Sequence, residues 1–480
     1  MNATTLIEIL DAVPRIEALM FSSPVSWRIK DNEHWAVIGA NGAGKTLLID
    51  ILIGKHALKS GMICTPDNRS VSSIVKSVAF RDIYSLVDLQ NSYYQQRWNA
   101  GDEHEMPVVK ELFLKGDKVW VDQLIRTFGI EDLIDKPINL LSSGELRKTL
   151  IVRSLLIKPH ILILDNPFIG LDVKSRALLN EVLEDLARME NLQIVLVLSH
   201  PKDLPDFITH VLPVREKTLL SPMMRLEFAG DKEFQEKLFE RERKFSLSTV
   251  IEDAESDFSF ENALVFKNIH IKYGKRNILK HLDWQVRKGD KWALLGANGS
   301  GKSTLLSLVS GDNPQAYAND ITLFDRKRGT GESIWDIKKH IGYVSPEMHL
   351  YYLKNVRCLD VVGSGFFDTI GLYKKCNAEQ EKLALHWMEV FGVENIRNTS
   401  FLNISTGEQR LVLLARVFVK NPELLILDEP LHGLDIANKQ YVKKIIEDFC
   451  TPDKALIYVT HYEEEIPDVV TQRLVLTKLN

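Results

Sequence analysis

Glu429 closes an apolar run, Leu424-Leu-Ile-Leu-Asp-Glu-Pro430, directly after a second carboxylate, Asp428. Two adjacent acids at the end of a hydrophobic strand offer a metal ligand and a group that accepts a proton from water. The same run occurs again as Ile161-Leu-Ile-Leu-Asp-Asn-Pro167, with Asp165 kept and Asn166 in place of the second acid. An amide hydrogen-bonds water but takes no proton from it at neutral pH. Asn166 also removes a negative charge where an anion would lie. The sequence therefore predicts two related sites with unequal chemistry: turnover at Glu429 and retention of the bound anion at Asn166.

The anion is indicated by two glycine loops, Gly39-Ala-Asn-Gly-Ala-Gly-Lys-Thr46 and Gly296-Ala-Asn-Gly-Ser-Gly-Lys-Ser303. A loop of this spacing between strand and helix turns backbone N–H groups toward phosphate oxygens. The candidate ATP contacts are Gly39, Asn41, Gly42, Gly44, Lys45 and Thr46 in the first copy. In the second they are Gly296, Asn298, Gly299, Gly301, Lys302, Ser303 and Thr304. Lys45 and Lys302 are expected to meet the β- and γ-phosphates, Lys302 also serving the reaction. The hydroxyls of Thr46 and Ser303 and the carboxylates of Asp165 and Asp428 are the expected Mg²⁺ ligands.

These residues need a scaffold, and the sequence supplies the same one twice. The glycine loops begin at positions 39 and 296, and Trp27 and Trp35 recur as Trp284 and Trp292 at the same spacing. Short apolar runs, such as Trp35-Ala-Val-Ile and Trp292-Ala-Leu-Leu, precede the loops, and Ile194-Val-Leu-Val-Leu and Leu456-Ile-Tyr-Val precede His200 and His461. Runs of this kind fit strands buried on both faces of a parallel sheet. Helical patterns follow them, as in Lys45 to Ile53, so the predicted class is α/β with a mainly parallel sheet in each half. The predicted domains are residues 1–228, a charged linker over 229–259, in which Gly230 to Lys244 reads as a solvated helix of mixed charges acting as a tether, and residues 260–480.

Bulk properties narrow the setting. The net charge of −5 and pI near 6.3 leave no strong nucleic-acid signature. Cys64, Cys358, Cys376 and Cys450 have neither metal nor disulfide spacing, which suits buried thiols in a reducing cytosol. No signal peptide or bilayer-spanning run is visible, so the expected location is cytoplasmic. A role in a membrane process would require docking on a partner.

Leu141-Ser-Ser-Gly-Glu145 and Ile404-Ser-Thr-Gly-Glu408 lie between glycine loop and acidic strand in their halves. This order resembles the ATP-binding cassette (ABC) ATPases, whose signature loop reads Leu-Ser-Gly-Gly-Gln. The resemblance covers nearly the whole chain, twice, and implies two tandem P-loop domains of ABC type, each with a helical signature subdomain. It implies an intramolecular head-to-tail pairing of the two cassettes. Site one would combine Lys45, Thr46, Asp165, Asn166 and His200 with Ser405 and Gly407. Site two would combine Lys302, Ser303, Asp428, Glu429 and His461 with Ser142 and Gly144. Gly170-Leu-Asp172 and Gly433-Leu-Asp435 resemble the family's D-loops, and His200 and His461 its switch histidines. Tyr273 resembles the aromatic that stacks on adenine; Ile16 stands in its place in the first half, with Phe21 nearby. Pro346 occupies the position of the family's Q-loop glutamine. In the first half Val78-Ala-Phe80 leads instead to Arg81-Asp82, with Gln90, Gln95 and Gln96 further on.

Within the family the chain is most similar to the ModF group, molybdate-transport-associated ATP-binding proteins also labelled photorepair proteins (PhrA). Ile334-Trp-Asp-Ile-Lys-Lys-His-Ile-Gly-Tyr-Val-Ser345, Ser310-Gly-Asp-Asn-Pro314, Gly365 to Tyr373 and Ser143 to Leu150 carry that likeness. It implies an ATPase that energises or regulates transport of molybdate or another small oxyanion, with an integral-membrane permease as partner at the inner face of the cell membrane. The alternative is a soluble ATP-dependent switch on a protein or nucleic-acid complex in translation or repair.

Overall fold

The computed structural model describes residues 4–79, 107–240 apart from 115, 139, 140, 142, 170 and 172, and 258–478 apart from 275, 298, 311, 312, 332, 347, 349–351, 353 and 354. These residues form two compact units, the first running through Glu240 and the second from residue 258 onward.

In the first unit, Trp35–Ile38 lies between Gln193–Leu198 and His210–Arg215, and Ile161–Asp165 lies between Gln193–Leu198 and Val75–Ala79. All four of these pairings are parallel. Every residue of Ile161–Asp165 and Gln193–Leu198 is buried. Both faces are therefore covered, which is why these strands read as unbroken apolar runs. A separate antiparallel sheet orders Val25–Lys30, Thr5–Pro14 and Leu58–Cys64. Trp27 from this sheet meets Trp35 from the parallel one edge to face, with centroids 5.6 Å apart.

The second unit repeats the plan. Its parallel sheet runs Ile341–Val344, Leu424–Asp428, Ala455–Val459, Lys291–Gly296, Gln472–Leu476. Its antiparallel sheet contains Arg276–Arg287, Asn262–Tyr273, Asp320–Leu323 and Arg326–Lys327. Trp284 and Trp292 reproduce the edge-to-face pair at 5.7 Å. The two apolar faces of each unit's parallel sheet are packed into different core clusters, one shared with the antiparallel sheet and one with the helices of the signature region.

Those helices are Lys118–Phe128 and Ser143–Leu155 in the first unit, and Cys358–Gly363, Ala378–Val390 and Thr406–Phe418 in the second. Trp387, Phe391 and Phe418 pack together and join Phe449 of the helix Ile436–Phe449, the Phe418 and Phe449 centroids being 4.6 Å apart. This aromatic cluster fixes the signature helix against the parallel-sheet layer. Arg416 adds polar ties, from Nε to Ser364 Oγ at 3.1 Å and from Nη2 to the Thr369 carbonyl at 3.1 Å.

The charged stretch after Gly230 is helical, as read, but it is docked at its end and not wholly solvated. Lys232–Phe239 is a helix whose N-cap, Asp231, accepts from the Phe234 N–H at 2.9 Å. Leu238 and Phe239, with Phe228 before them, are buried in the first unit's core. Few apolar residues at helical spacing are enough to dock a mainly charged segment. Residues 241–257 lie outside the described residues. Cys358 and Cys450 are buried, and desolvation pushes both thiols up to about 12. Cys64 and Cys376 are half-buried. Among the described residues no helix is long and apolar enough to cross a membrane.

Candidate functional site

Each glycine loop leaves the carboxyl end of a parallel strand and enters an eight-residue helix, Lys45–Leu52 or Lys302–Val309. The N-cap is Gly44 at φ 103° in one and Gly301 at φ 97° in the other. A residue with a Cβ pays for that backbone, so glycine is the residue that fits. Gly39 meets a steric demand instead: a Cβ there would lie 2.0 Å from the Val214 carbonyl oxygen. Gly42 and Gly299 lie at the turn of their loops, Asn41 is buried, and Asn298 is outside the described residues. Lys45 Nζ donates to the carbonyls of Gly39 (2.7 Å) and Ala40 (2.8 Å). Lys302 Nζ donates to those of Gly296 (2.7 Å) and Ala297 (3.1 Å). Each ammonium thus spans its own loop, at the helix end where free N–H groups favour an anion.

Thr46, Ser303 and Thr304 occupy the first turns of these helices. Thr46 Oγ1 donates to Asp165 Oδ2 at 2.9 Å, which joins the loop to the acidic strand end. Asp165 and Asp428 are both buried. One hydroxyl and one carboxylate suit Mg²⁺, which takes few protein oxygens and completes its octahedron with water and phosphate. Among the described residues no group of three or more His, Cys, Asp or Glu could hold a metal ion by itself.

The next residue separates the two halves. Asn166 and Glu429 share an unusual left-handed backbone, at φ 52° and 46°. Each N–H bonds the neighbouring strand, to the Val197 or Val459 carbonyl at 2.9 Å. The side chains then diverge. Asn166 Nδ2 donates to Asp165 Oδ1 at 2.8 Å and its Oδ1 accepts from Ser199 Oγ at 3.1 Å. Glu429 Oε1 instead accepts from His461 Nε2 at 2.8 Å. Burial alone would push the Glu429 carboxyl up, but the His461 bond and the charges of His432, His461 and Arg410 hold it below its ordinary range. It is an ionised carboxylate at neutral pH. In the first unit, His200 Nδ1 accepts from the Lys202 N–H at 2.9 Å.

Ser405 caps the helix Thr406–Phe418 in a reciprocal capping box with Glu408. Its N–H and Oγ donate to Glu408 Oε2 at 2.9 and 2.7 Å. Gly407 is in the helix's first turn. In the first unit Ser142 lies outside the described residues, Gly144 is in the first turn of Ser143–Leu155, and Glu145 pairs with Lys136 at 3.0 Å. Asp435 is fully buried and caps Ile436–Phe449 through the Asn438 N–H at 2.8 Å. Gly170 and Asp172, its first-half counterparts with Leu171, lie outside the described residues.

Tyr273 is half-buried, with its hydroxyl accepting from Asn313 Nδ2 at 3.0 Å. Ile16 is 59% exposed and offers no aromatic face, whereas the Phe21 ring lies against Gly44. Pro346 follows the strand Ile341–Val344 as expected; residues 81–96 of the first half are outside the described residues. Sequence reasoning missed Arg147 and Arg410, each three positions past a signature glycine. Arg147 donates to the Pro167 carbonyl at 3.0 Å and to that of Ile169. Arg410 donates to the carbonyls of Ser345, Asp428, Glu429 and Pro430. The repeated spacing was the available signal.

Residues 22–169 and 279–432 match the family described as ABC transporter. The chain is 37% identical over 92% of its length to the ABC transporter ATP-binding protein ModF of Escherichia coli (strain K12), covering 91% of that protein. It is 28% identical to an uncharacterized ABC transporter ATP-binding protein of Schizosaccharomyces pombe, over 94% of this chain and 93% of that one. A structure of ribosome-bound archaeal Pelota and ABCE1 shares the fold at TM-score 0.58 and 20% identity, over 97% of this chain and 76% of that chain.

Proposed function

The chain belongs to the ABC transporter family of ATPases, with two cassettes in tandem, and from that premise we propose that its two ATP sites are unequal and that hydrolysis occurs mainly at the one built on Glu429. One contrast carries this reading. Glu429 presents an ionised carboxylate steadied by His461, while the Asn166 amide is bonded to Asp165 and Ser199.

In the proposed reaction Glu429 accepts a proton as water attacks the γ-phosphorus, and the bond to the β–γ bridging oxygen breaks to release ADP. His461 orients the carboxylate, and Lys302 and the loop N–H groups take up charge on the phosphates. Ser303 and Asp428, or Thr46 and Asp165, would hold Mg²⁺, which would supply charge neutralisation at the phosphates. Tyr273 offers the base a stacking face. The cassettes pair head to tail, so that Ser142 and Gly144 complete the second site and Ser405 and Gly407 the first, with His200 at the γ-phosphate of the retained ATP. ATP then joins the halves, and hydrolysis lets them part.

The motion serves transport in this reading, through an integral-membrane permease at the cytoplasmic face of the membrane and with a small oxyanion such as molybdate as cargo. Similarity to a ModF protein over nearly the whole chain supports it. The test is capture with the Glu429→Gln protein, loaded with ATP, from detergent-solubilised membranes. Recovery of a permease supports transport. Recovery of ribosomes or DNA, lost at high salt, with no membrane protein would replace transport by a soluble switch.

A further inference from the structure

Arg410 is 5% exposed and lies on the helix that carries the signature loop. Its guanidinium reaches four backbone carbonyls. Nη2 donates to Asp428 at 2.8 Å and to Glu429, Nε to Pro430 at 3.1 Å, and Nη1 to Ser345 at 2.8 Å. Three of these acceptors are consecutive and form the turn that presents Glu429. The fourth precedes Pro346, where the parallel strand Ile341–Val344 has just ended. The turn has bonds of its own, the Glu429 carbonyl also accepting from the His432 N–H at 3.0 Å, and the guanidinium adds donors that reach across it. A planar fork of five N–H donors can serve several acceptors at once.

The turn also has a conformational problem. Glu429 sits at φ 46°, a region that a long side chain rarely occupies unless its surroundings impose it. We propose that Arg410 is a positioning residue for hydrolysis: it holds the left-handed turn that aims Glu429, and it ties that turn to the signature helix and to the chain before Pro346. The inference rests on Glu429 being the base. It gives the second cassette a buried mechanical link between signature helix and base that also takes in the Ser345 carbonyl, just before Pro346. Movement of the helix Thr406–Phe418 is then transmitted to the carboxylate without passing through a side chain at position 346.

The test compares Arg410→Gln and Arg410→Lys in the full chain, by steady-state kcat and KM for MgATP alongside thermal unfolding. Loss of aim without loss of binding lowers kcat by about 10-fold or more with KM within about threefold. Lysine keeps the charge but offers a point donor, so Arg410→Lys should recover only part of kcat. In a Glu429→Gln background, Arg410→Gln should cause no further loss, because the group it aims is gone. A folded Arg410→Gln protein with wild-type kcat overturns the proposal, as does an equal further loss in the Glu429→Gln background. If Arg410→Gln does not fold, Arg410→Lys decides: reduced kcat at constant KM supports the proposal, and wild-type kcat overturns it. Glu429→Gln alone tests the underlying reading. Should that variant keep its turnover, the choice of base is wrong; should it lose turnover while Arg410→Gln does not, only the Arg410 inference fails.

Discussion

Glu429→Gln isolates the feature on which the functional reading depends. Glutamine keeps the length of the side chain and can still meet His461, which now lies 2.8 Å from the carboxylate. What it removes is the negative charge and the ability to take a proton. A positioned base of this kind contributes about 10²- to 10⁴-fold in rate. At 1.36 kcal/mol per tenfold, that is about 2.7–5.4 kcal/mol of barrier. The Asn166 site already lacks the group, so it cannot restore the loss, and total phosphate release should fall to roughly one per cent or less of wild type. The assay is steady-state phosphate release at saturating MgATP, paired with rapid gel filtration to measure retained nucleotide. ATP retention should persist or rise, because the glycine loops and Lys302 are unchanged. A variant that binds ATP and still releases phosphate at half the wild-type rate would refute the reasoning, since the amide at Asn166 would then have to sustain hydrolysis.

Asn166→Glu should leave total turnover equal or raise it by about twofold at most, since a second site with its own base can at best match the first; phosphate release across a Mg²⁺ titration checks it. Phe21→Ser should weaken ATP retention at the first site by several-fold while leaving kcat near wild type, read by nucleotide content and turnover on the same sample. Asp368→Asn removes the carboxylate beside Lys420, whose side chain is 9% exposed and, among the described residues, keeps only the Lys338 carbonyl at 2.7 Å, and should cost about 3 kcal/mol at neutral pH in denaturant titrations. Burial lowers the Lys420 pKa from 10.5 to about 8 despite Asp368. Its stability contribution is therefore complete above pH 10.5 and lost as pH falls through 8, so the Asp368→Asn deficit should be smaller at alkaline pH than at neutral pH.

Much of this arrangement was legible because it is carried by local pattern. The runs before Gly39, Asp165 and Asp428 are buried parallel strands and the one before Gly296 is partly buried, and a strand covered on both faces has to be written in apolar residues. The glycine spacings specify a turn whose geometry few other residues permit. What escaped the sequence is what depends on distant partners. Arg410 reads as one more cation on an amphipathic helix; only folding brings the Ser345 and Glu429 carbonyls to it. Lys232–Phe239 reads as a solvated helix because charges outnumber apolar residues, yet Leu238 and Phe239 suffice to seat it. The bond from Ser199 to Asn166 spans two strands that are neighbours only in the sheet, so nothing in either segment announces it.

The shared left-handed turn at Asn166 and Glu429 bears on how the two copies could drift apart. Asparagine is among the few residues with a side chain that occupy this backbone readily, whereas glutamate holds it under strain. The two backbones differ by only 6° in φ, from 52° to 46°, so exchanging one residue for the other asks for little movement of the chain. Relief of strain favours asparagine at this position. On the reading proposed above, the strained turn marks the hydrolytic site and the relaxed one the retaining site.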